Sequence, residues 1–176
     1  VFGSVNAGIA IYVLFQMTFW AVSLGAGIAF LERRGVGRGW LILLQLFCML
    51  YPFQLYMSIS VTKDMVFGSF FLLQALALCK VLETSRTRDF LYFFFSTVGM
   101  ILFRNNGKYA FLVFLAFLPL IFLFGKRERR LWGRLLLWSL GAILTGQMML
   151  STIYRVTDAQ QGDRREMLSV PIQQLA

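Results

Sequence analysis

Residues 58–69 read SISVTKDMVFGS and lead into the apolar run 65–82, MVFGSFFLLQALALCKVL. This run is apolar around the whole circumference of a helix and shows no alternation of polar and apolar residues. It therefore predicts a membrane-spanning helix rather than a strand of a membrane barrel. Lys63 and Asp64 stand directly before it, at the junction with another apolar run, which predicts a charged pair at a membrane boundary.

Six apolar runs of this kind divide the chain, and charged or turn residues bound each of them. The runs cover residues 7–30, 40–59, 65–82, 90–103, 109–124 and 132–151. Hydrophobic residues make up 59% of the chain, which is too apolar for a soluble core with a polar surface. We expect an all-α integral membrane protein with about six transmembrane helices in one polytopic domain, residues 1–151. Residues 152–176 turn polar and are expected to begin an extracytoplasmic loop or domain that is cut short.

Most of the 17 lysines and arginines lie in or beside the first, third and fifth connectors between these runs. They are Arg33, Arg34 and Arg38, then Lys80, Arg86 and Arg88, then Lys126, Arg127, Arg129, Arg130 and Arg134. By the positive-inside rule these connectors face the cytoplasm, so both ends of the chain are expected to be extracytoplasmic. The net charge of +9 thus indicates topology, and no nucleic acid is expected as a partner.

The composition excludes several kinds of chemistry. The chain has no histidine, and Cys48 and Cys79 lie inside apolar runs without a CxxC motif. A His-containing triad and a histidine-ligated zinc or haem are therefore excluded in these residues. Walker, GxGxxG, GxSxG and HExxH motifs are also missing from the sequence. Chemistry here would rest on carboxylates, arginine and lysine, with a divalent metal ion as the cofactor to consider.

Lys63 and Asp64 form the first candidate site. In a structural role, Thr62 or Asp64 would bind free amide groups at the helix start, and Lys63 would reach the lipid headgroups. In a functional role, Asp64 would be a general base or a ligand for substrate or metal, and Lys63 would contact a phosphate. The sequence leaves both roles open.

The turn at residues 104–108, RNNGK, forms the second candidate site. Its flanking apolar runs have about 14 and 16 residues and would span roughly 21 to 24 Å, less than the ~30 Å hydrocarbon core. We therefore expect a recessed turn whose polar residues line a cavity. These residues are Arg104, Asn105, Asn106 and Lys108. The alternative is a hairpin of longer helices whose Arg and Lys meet lipid phosphates.

The tail after residue 152 supplies the third polar cluster. Its candidate binding residues are Arg165, Glu166, Gln173 and Gln174. The mixture of charge with an apolar stripe predicts an amphipathic segment on the outer leaflet, whereas the amides and the carboxylate would alternatively bind sugar hydroxyls. Because the second connector, the fourth connector and the tail emerge on one face, the three clusters are expected to converge there.

Three motifs in this order resemble a poorly characterised bacterial multi-pass membrane family related to GT-C glycosyltransferases. They are SVTKDMVF at residues 60–67, RNNGKY at 104–109 and EMLSVPIQQLA at 166–176. The resemblance implies a GT-C-like fold in the bacterial plasma membrane and a polyprenyl-phosphate-linked sugar donor that enters from the outer leaflet. In such enzymes the principal acidic residue usually lies in the first outer loop, so Asp64 is either the catalytic carboxylate or a secondary one.

The resemblance implies transfer of a sugar to an acceptor at the outer membrane face, as in cell-envelope glycan assembly. Arg104, Lys108 or Lys63 would stabilise the phosphate leaving group, and Asp64 would activate an acceptor hydroxyl or position a divalent cation. Two other functions remain open: a transporter or flippase for an anionic lipid or glycolipid, and a polysaccharide polymerase. Pro52 and Pro119 interrupt two predicted helices, as in transporters. Membrane lipids are expected partners in every case.

Overall fold

A computed structural model describes residues 2–104, 107, 109, 111–116 and 129–157 of the chain. Within these ranges the named helices are α1 (Phe2–Arg33), α2 (Arg38–Leu50), α3 (Pro52–Ile59), α4 (Lys63–Thr84), α5 (Thr87–Phe103) and α6 (Arg129–Thr157). Residues 111–116 are also helical, and no strand occurs in the described part of the chain. The all-α architecture that the sequence predicts is therefore confirmed there.

Among the described helices, three are long and apolar enough to cross a membrane: α1, α4 and α6. The predicted run 40–59 divides at Pro52 into α2 and α3, which are bent by 54° and together make a fourth span if counted as one. Pro52 is the first residue of α3, and Tyr51 before it is extended (φ −66°, ψ 112°), because the proline ring disfavours a helical residue at that position. The length and apolar composition of these helices are those of a helical membrane protein.

The predicted count of six spans is not confirmed. The run 90–103 becomes α5, whose 17 residues rise only about 25 Å. Most of the run 109–124 lies outside the described residues. The count among the described helices is therefore three, or four with the bent pair.

α1 and α4 run side by side in the same direction, and a contact near each end of α4 shows their register. The Tyr12 hydroxyl donates to the Thr62 carbonyl at 3.1 Å, just before α4 begins. Arg34 pairs with Glu83 where α4 ends. The two contacts are about 32 Å apart along either helix at 1.5 Å per residue, close to the thickness of a hydrocarbon core. They therefore lie at opposite membrane boundaries when these helices span.

The connectors alternate between two ends of the bundle. Arg134 of α6 donates to the Ser85 carbonyl and to the Thr87 hydroxyl, both at 3.3 Å, so the start of α6 lies beside the α4–α5 connection. The Arg34–Glu83 pair brings the first connector to this end, which we call the basic end. At the opposite end, called the Asp64 end, the start of α4 meets the residue after α5. Which end faces the cytoplasm stays a prediction.

The core lies between α4, α5, α6 and the helical residues 111–116. Close approach of these helices depends on small residues: Gly99 of α5 packs under the Phe70 ring, and Gly146 of α6 packs against Ile101. A buried hydrogen bond of 3.2 Å from Gln74 to Thr97 links α4 to α5. The largest buried apolar side chains of this core are Phe90, Phe93, Met100, Phe111 and Leu135.

Candidate functional site

The candidate site lies at the Asp64 end, where α4 begins and α5 ends. Thr62 is extended and α4 starts at Lys63, so both charged residues lie in the first turn of the helix. Thr62 makes no side-chain capping hydrogen bond, and its expected capping role is therefore not observed. Asp64 lies where the positive end of the helix dipole favours an anion.

Asp64 forms an ion pair with Arg104, the residue that directly follows α5. The distance from Arg104 Nη1 to Asp64 Oδ1 is 2.9 Å, and the two side chains are 46% and 52% exposed. The Arg104 guanidinium also lies over the Phe67 ring, 5.4 Å from its centroid. A salt bridge thus holds one edge of the guanidinium and a cation–π contact holds one face, while about half of the Arg104 side chain stays exposed.

Gly107 fixes the turn that follows Arg104. Its amide donates to the Arg104 carbonyl at 2.9 Å. A Cβ atom at this position would lie 2.8 Å from the Met100 carbonyl oxygen and 3.1 Å from the Phe67 ring. The Gly107 backbone therefore lies close to both α5 and the Phe67 ring, over which the Arg104 guanidinium lies.

Two polar residues of α1 that were not among the predicted site residues hold the chain just before Lys63. Gln16 is fully buried, and its Nε2 donates to the carbonyls of Ser58 and Ser60, both at 2.7 Å. Tyr12 donates to the Thr62 carbonyl. These acceptors lie at the end of α3 and in the non-helical link to α4. The sequence feature that could have indicated this contact is a single glutamine within the apolar run 7–30, because such residues form hydrogen bonds between membrane helices.

The other predicted site residues divide into two groups. Lys63 is exposed beside Asp64 in the first turn of α4. Asn105, Asn106, Lys108, Arg165, Glu166, Gln173 and Gln174 lie outside the described residues. The structure therefore brings together Asp64 and Arg104, and the convergence of the tail on them stays a prediction. No group of three or more His, Cys, Asp or Glu able to hold a metal ion occurs within the described ranges.

The fold and this site define a helical membrane protein with a paired carboxylate and guanidinium at one end of its helices. The chain belongs to a family of unknown function, DUF6020, whose match covers residues 1–176. No curated protein and no solved structure matches it. The resemblance to GT-C glycosyltransferases consequently rests on the three sequence motifs.

Proposed function

We propose that this protein transfers a sugar from a polyprenyl-phosphate-linked donor to an acceptor at the outer face of the bacterial plasma membrane. The observation that carries the proposal is the Arg104–Asp64 pair at 2.9 Å. A cation suited to a phosphate and a carboxylate suited to a hydroxyl are adjacent there and half exposed. The arrangement lies at the end of membrane-length helices, which is where a lipid-linked donor presents its headgroup.

In the proposed reaction an acceptor hydroxyl attacks the anomeric carbon of the donor sugar. The bond from that carbon to the phosphate oxygen breaks, and the phosphate leaves with the bonding electrons. Arg104 stabilises the departing charge by hydrogen bonds to the phosphate oxygens. Asp64 accepts the hydroxyl proton through its second carboxylate oxygen. Lys63 projects about 100° around the helix from Asp64 and therefore serves another part of the ligand.

The remaining candidate residues take supporting roles in this proposal. Lys108 and Arg165 would add positive charge for the phosphate, and the side chains of Asn105, Asn106, Glu166, Gln173 and Gln174 would bind sugar hydroxyls. Asp64 is the one carboxylate at this end among the described residues. A Mg²⁺ ion there would depend on donor phosphate oxygens for further ligands.

The bend between α2 and α3 favours a second candidate function, the transport of an anionic lipid or glycolipid. The pair is bent by 54°, and residues 60–62 after α3 are non-helical beside the buried Gln16. Discontinuous helices with exposed backbone groups line the binding sites of many transporters. In this case Arg104 would bind the headgroup without any bond being broken.

The test is transfer of labelled sugar from polyprenyl-phosphate donors in membranes that carry the full-length protein. Wild type is compared with Asp64→Asn, Arg104→Ala and the control Arg38→Gln at the basic end, at matched expression. We expect activity in wild type and Arg38→Gln and its loss in both site variants. Wild-type transfer by both site variants would refute the assignment of the site. Lipid translocation that depends on Arg104, without sugar transfer, would favour transport.

A further inference from the structure

A groove of about 1170 Å³ lies at the basic end, between α1, α4 and α5. Its floor is apolar and includes Phe70, Leu73 and Ala77 of α4 and Phe95 of α5. Its rim is charged. The rim residues are Arg33, Arg34, Lys80, Glu83, Arg86, Arg88 and Asp89. We call this feature the basic groove. Its charged rim begins at Lys80, about 24 Å along α4 from Asp64 at 1.5 Å per residue, and its floor extends toward that residue as far as Phe70.

The rim of the basic groove has an excess of positive charge. Glu83 is paired with Arg34, and Asp89 accepts a hydrogen bond from Thr84. The other basic residues of the rim, Arg33, Lys80, Arg86 and Arg88, form no ion pair with a carboxylate within the described part of the chain. Several like charges on one rim repel one another, so an anionic ligand between them would be stabilised.

Two of these cations also occupy an unfavourable place on their helix. Arg86 is the N-cap residue of α5 and Arg88 is in its first turn. The helix dipole is positive there and disfavours cations, whereas it favours a bound anion. Lys80 lies one helical turn inside the end of α4, between the charged rim and the apolar floor. Lys80 therefore places a positive charge at the boundary between the charged rim and the apolar floor.

We infer that the basic groove binds an anionic phospholipid. The phosphate lies between Lys80 and the arginines at the start of α5, and an acyl chain lies along the floor formed by Phe70, Leu73 and Phe95. The cations account for the negative charge, and the apolar floor accounts for a hydrocarbon chain rather than a free phosphate or a sugar, whose hydroxyls would lack partners there. This site is independent of the proposed transferase, because its charged residues are different ones and lie at the basic end.

The experiment is native mass spectrometry of the purified full-length protein in detergent, titrated with phosphatidylglycerol or phosphatidylcholine. The test variant Lys80→Gln/Arg88→Gln is compared with the control Arg38→Gln/Arg130→Gln, which removes two exposed charges at the same end outside the groove. We expect wild type and the control to prefer phosphatidylglycerol. In the test variant its binding should weaken at least about tenfold, because hydrogen bonds to charged groups are lost.

A second variant separates ligand binding from folding and from net charge. Ala29→Phe places a ring in the groove from α1 and leaves every charge in place, so it should weaken binding of phosphatidylglycerol as well. Inorganic phosphate should not displace the lipid. Equal binding of the two lipids by wild type, equal losses in the test and control pairs, unchanged binding by Ala29→Phe, or displacement by phosphate would each overturn the inference.

Discussion

Arg104 Nη1 and Asp64 Oδ1 are 2.9 Å apart, which joins the residue after α5 to the first turn of α4. Both segments carry polar residues at the ends of apolar runs, and the pairing brings them to one end of the helices. Both side chains remain about half exposed. An exposed pair of this kind adds little to stability, so a functional role for it can be separated from a structural one by experiment.

Asp64→Asn should remove activity while leaving the fold nearly as stable as before. Loss of a half-exposed ion pair costs about 0–1 kcal/mol, whereas loss of a general base lowers turnover by roughly 100-fold or more. The measurements are thermal unfolding in detergent and sugar transfer. Arg34→Gln is the matched control, since the Arg34–Glu83 pair is similarly exposed, at 47% and 42%. It should leave transfer intact; equal losses of transfer in the two variants would contradict a specific role for Asp64.

Gly107→Ala should destabilise the protein and displace Arg104. The new Cβ would lie 2.8 Å from the Met100 carbonyl oxygen, which belongs to the backbone and has little freedom to move. Overpacking of this kind costs about 1–3 kcal/mol. Thermal unfolding in detergent measures the loss. The control is Gly25→Ala in α1, where nothing lies within 4 Å of the new atom. Equal stability of Gly107→Ala and wild type would show that the turn does not depend on this close approach.

Hydrophobic patterning predicted the helices that have an unambiguous signal. The run 65–82 becomes α4 with two further residues at each end, and the run 7–30 extends to the whole of α1. The alternation of charge predicted which connectors share an end, and the Arg134–Ser85 and Arg104–Asp64 contacts place them accordingly. Pro52 indicated an interruption of the run 40–59, but the sequence could not predict the 54° angle, because a proline alone does not fix it.

The sequence predicted which charged residues lie at the candidate site, but it could not predict which of them form a salt bridge. Lys63, Asp64 and Arg104 stand out as charges between apolar runs, whereas the salt bridge depends on how α4 and α5 are placed in three dimensions. Gln16 is the clearest example of a contact that the sequence pattern could not predict. Its partners are backbone carbonyls, which leave no trace in the side-chain pattern.

Gln16→Leu should loosen the link between α3 and α4. The variant removes two hydrogen bonds, to the carbonyls of Ser58 and Ser60, and each such bond contributes about 0.5–1.5 kcal/mol. The Ser60 carbonyl keeps the Thr62 amide as a donor, at 2.8 Å. We expect a lower unfolding temperature in detergent and faster proteolysis between α3 and α4. Gln45→Leu serves as the control, because Gln45 is exposed on α2. If both variants unfold at the wild-type temperature, the two hydrogen bonds do not hold the link.

The hydrogen bond between Gln74 and Thr97 should couple α4 to α5 weakly. Hydrogen bonds between membrane helices average about 0.6 kcal/mol in double-mutant cycles, because the separated helices find other partners. The cycle consists of Gln74→Leu, Thr97→Val and the double variant, each measured by unfolding in detergent. Additive effects would show that the 3.2 Å contact contributes no coupling. A coupling of several kcal/mol would indicate a larger buried polar network than these two residues.

The two ends of the bundle should be accessible from opposite sides of the membrane. Cys48 and Cys79 are first replaced by alanine, and Lys63→Cys and Arg38→Cys are then introduced one at a time at exposed positions. In intact bacterial cells, an impermeant maleimide should label Lys63→Cys directly and Arg38→Cys only after permeabilisation, because basic connectors are retained inside. The reverse result would put the Asp64 end in the cytoplasm, which would contradict the proposal that the sugar donor enters from the outer leaflet. Labelling of both positions from one side would contradict the membrane thickness that α1 and α4 place between the two ends.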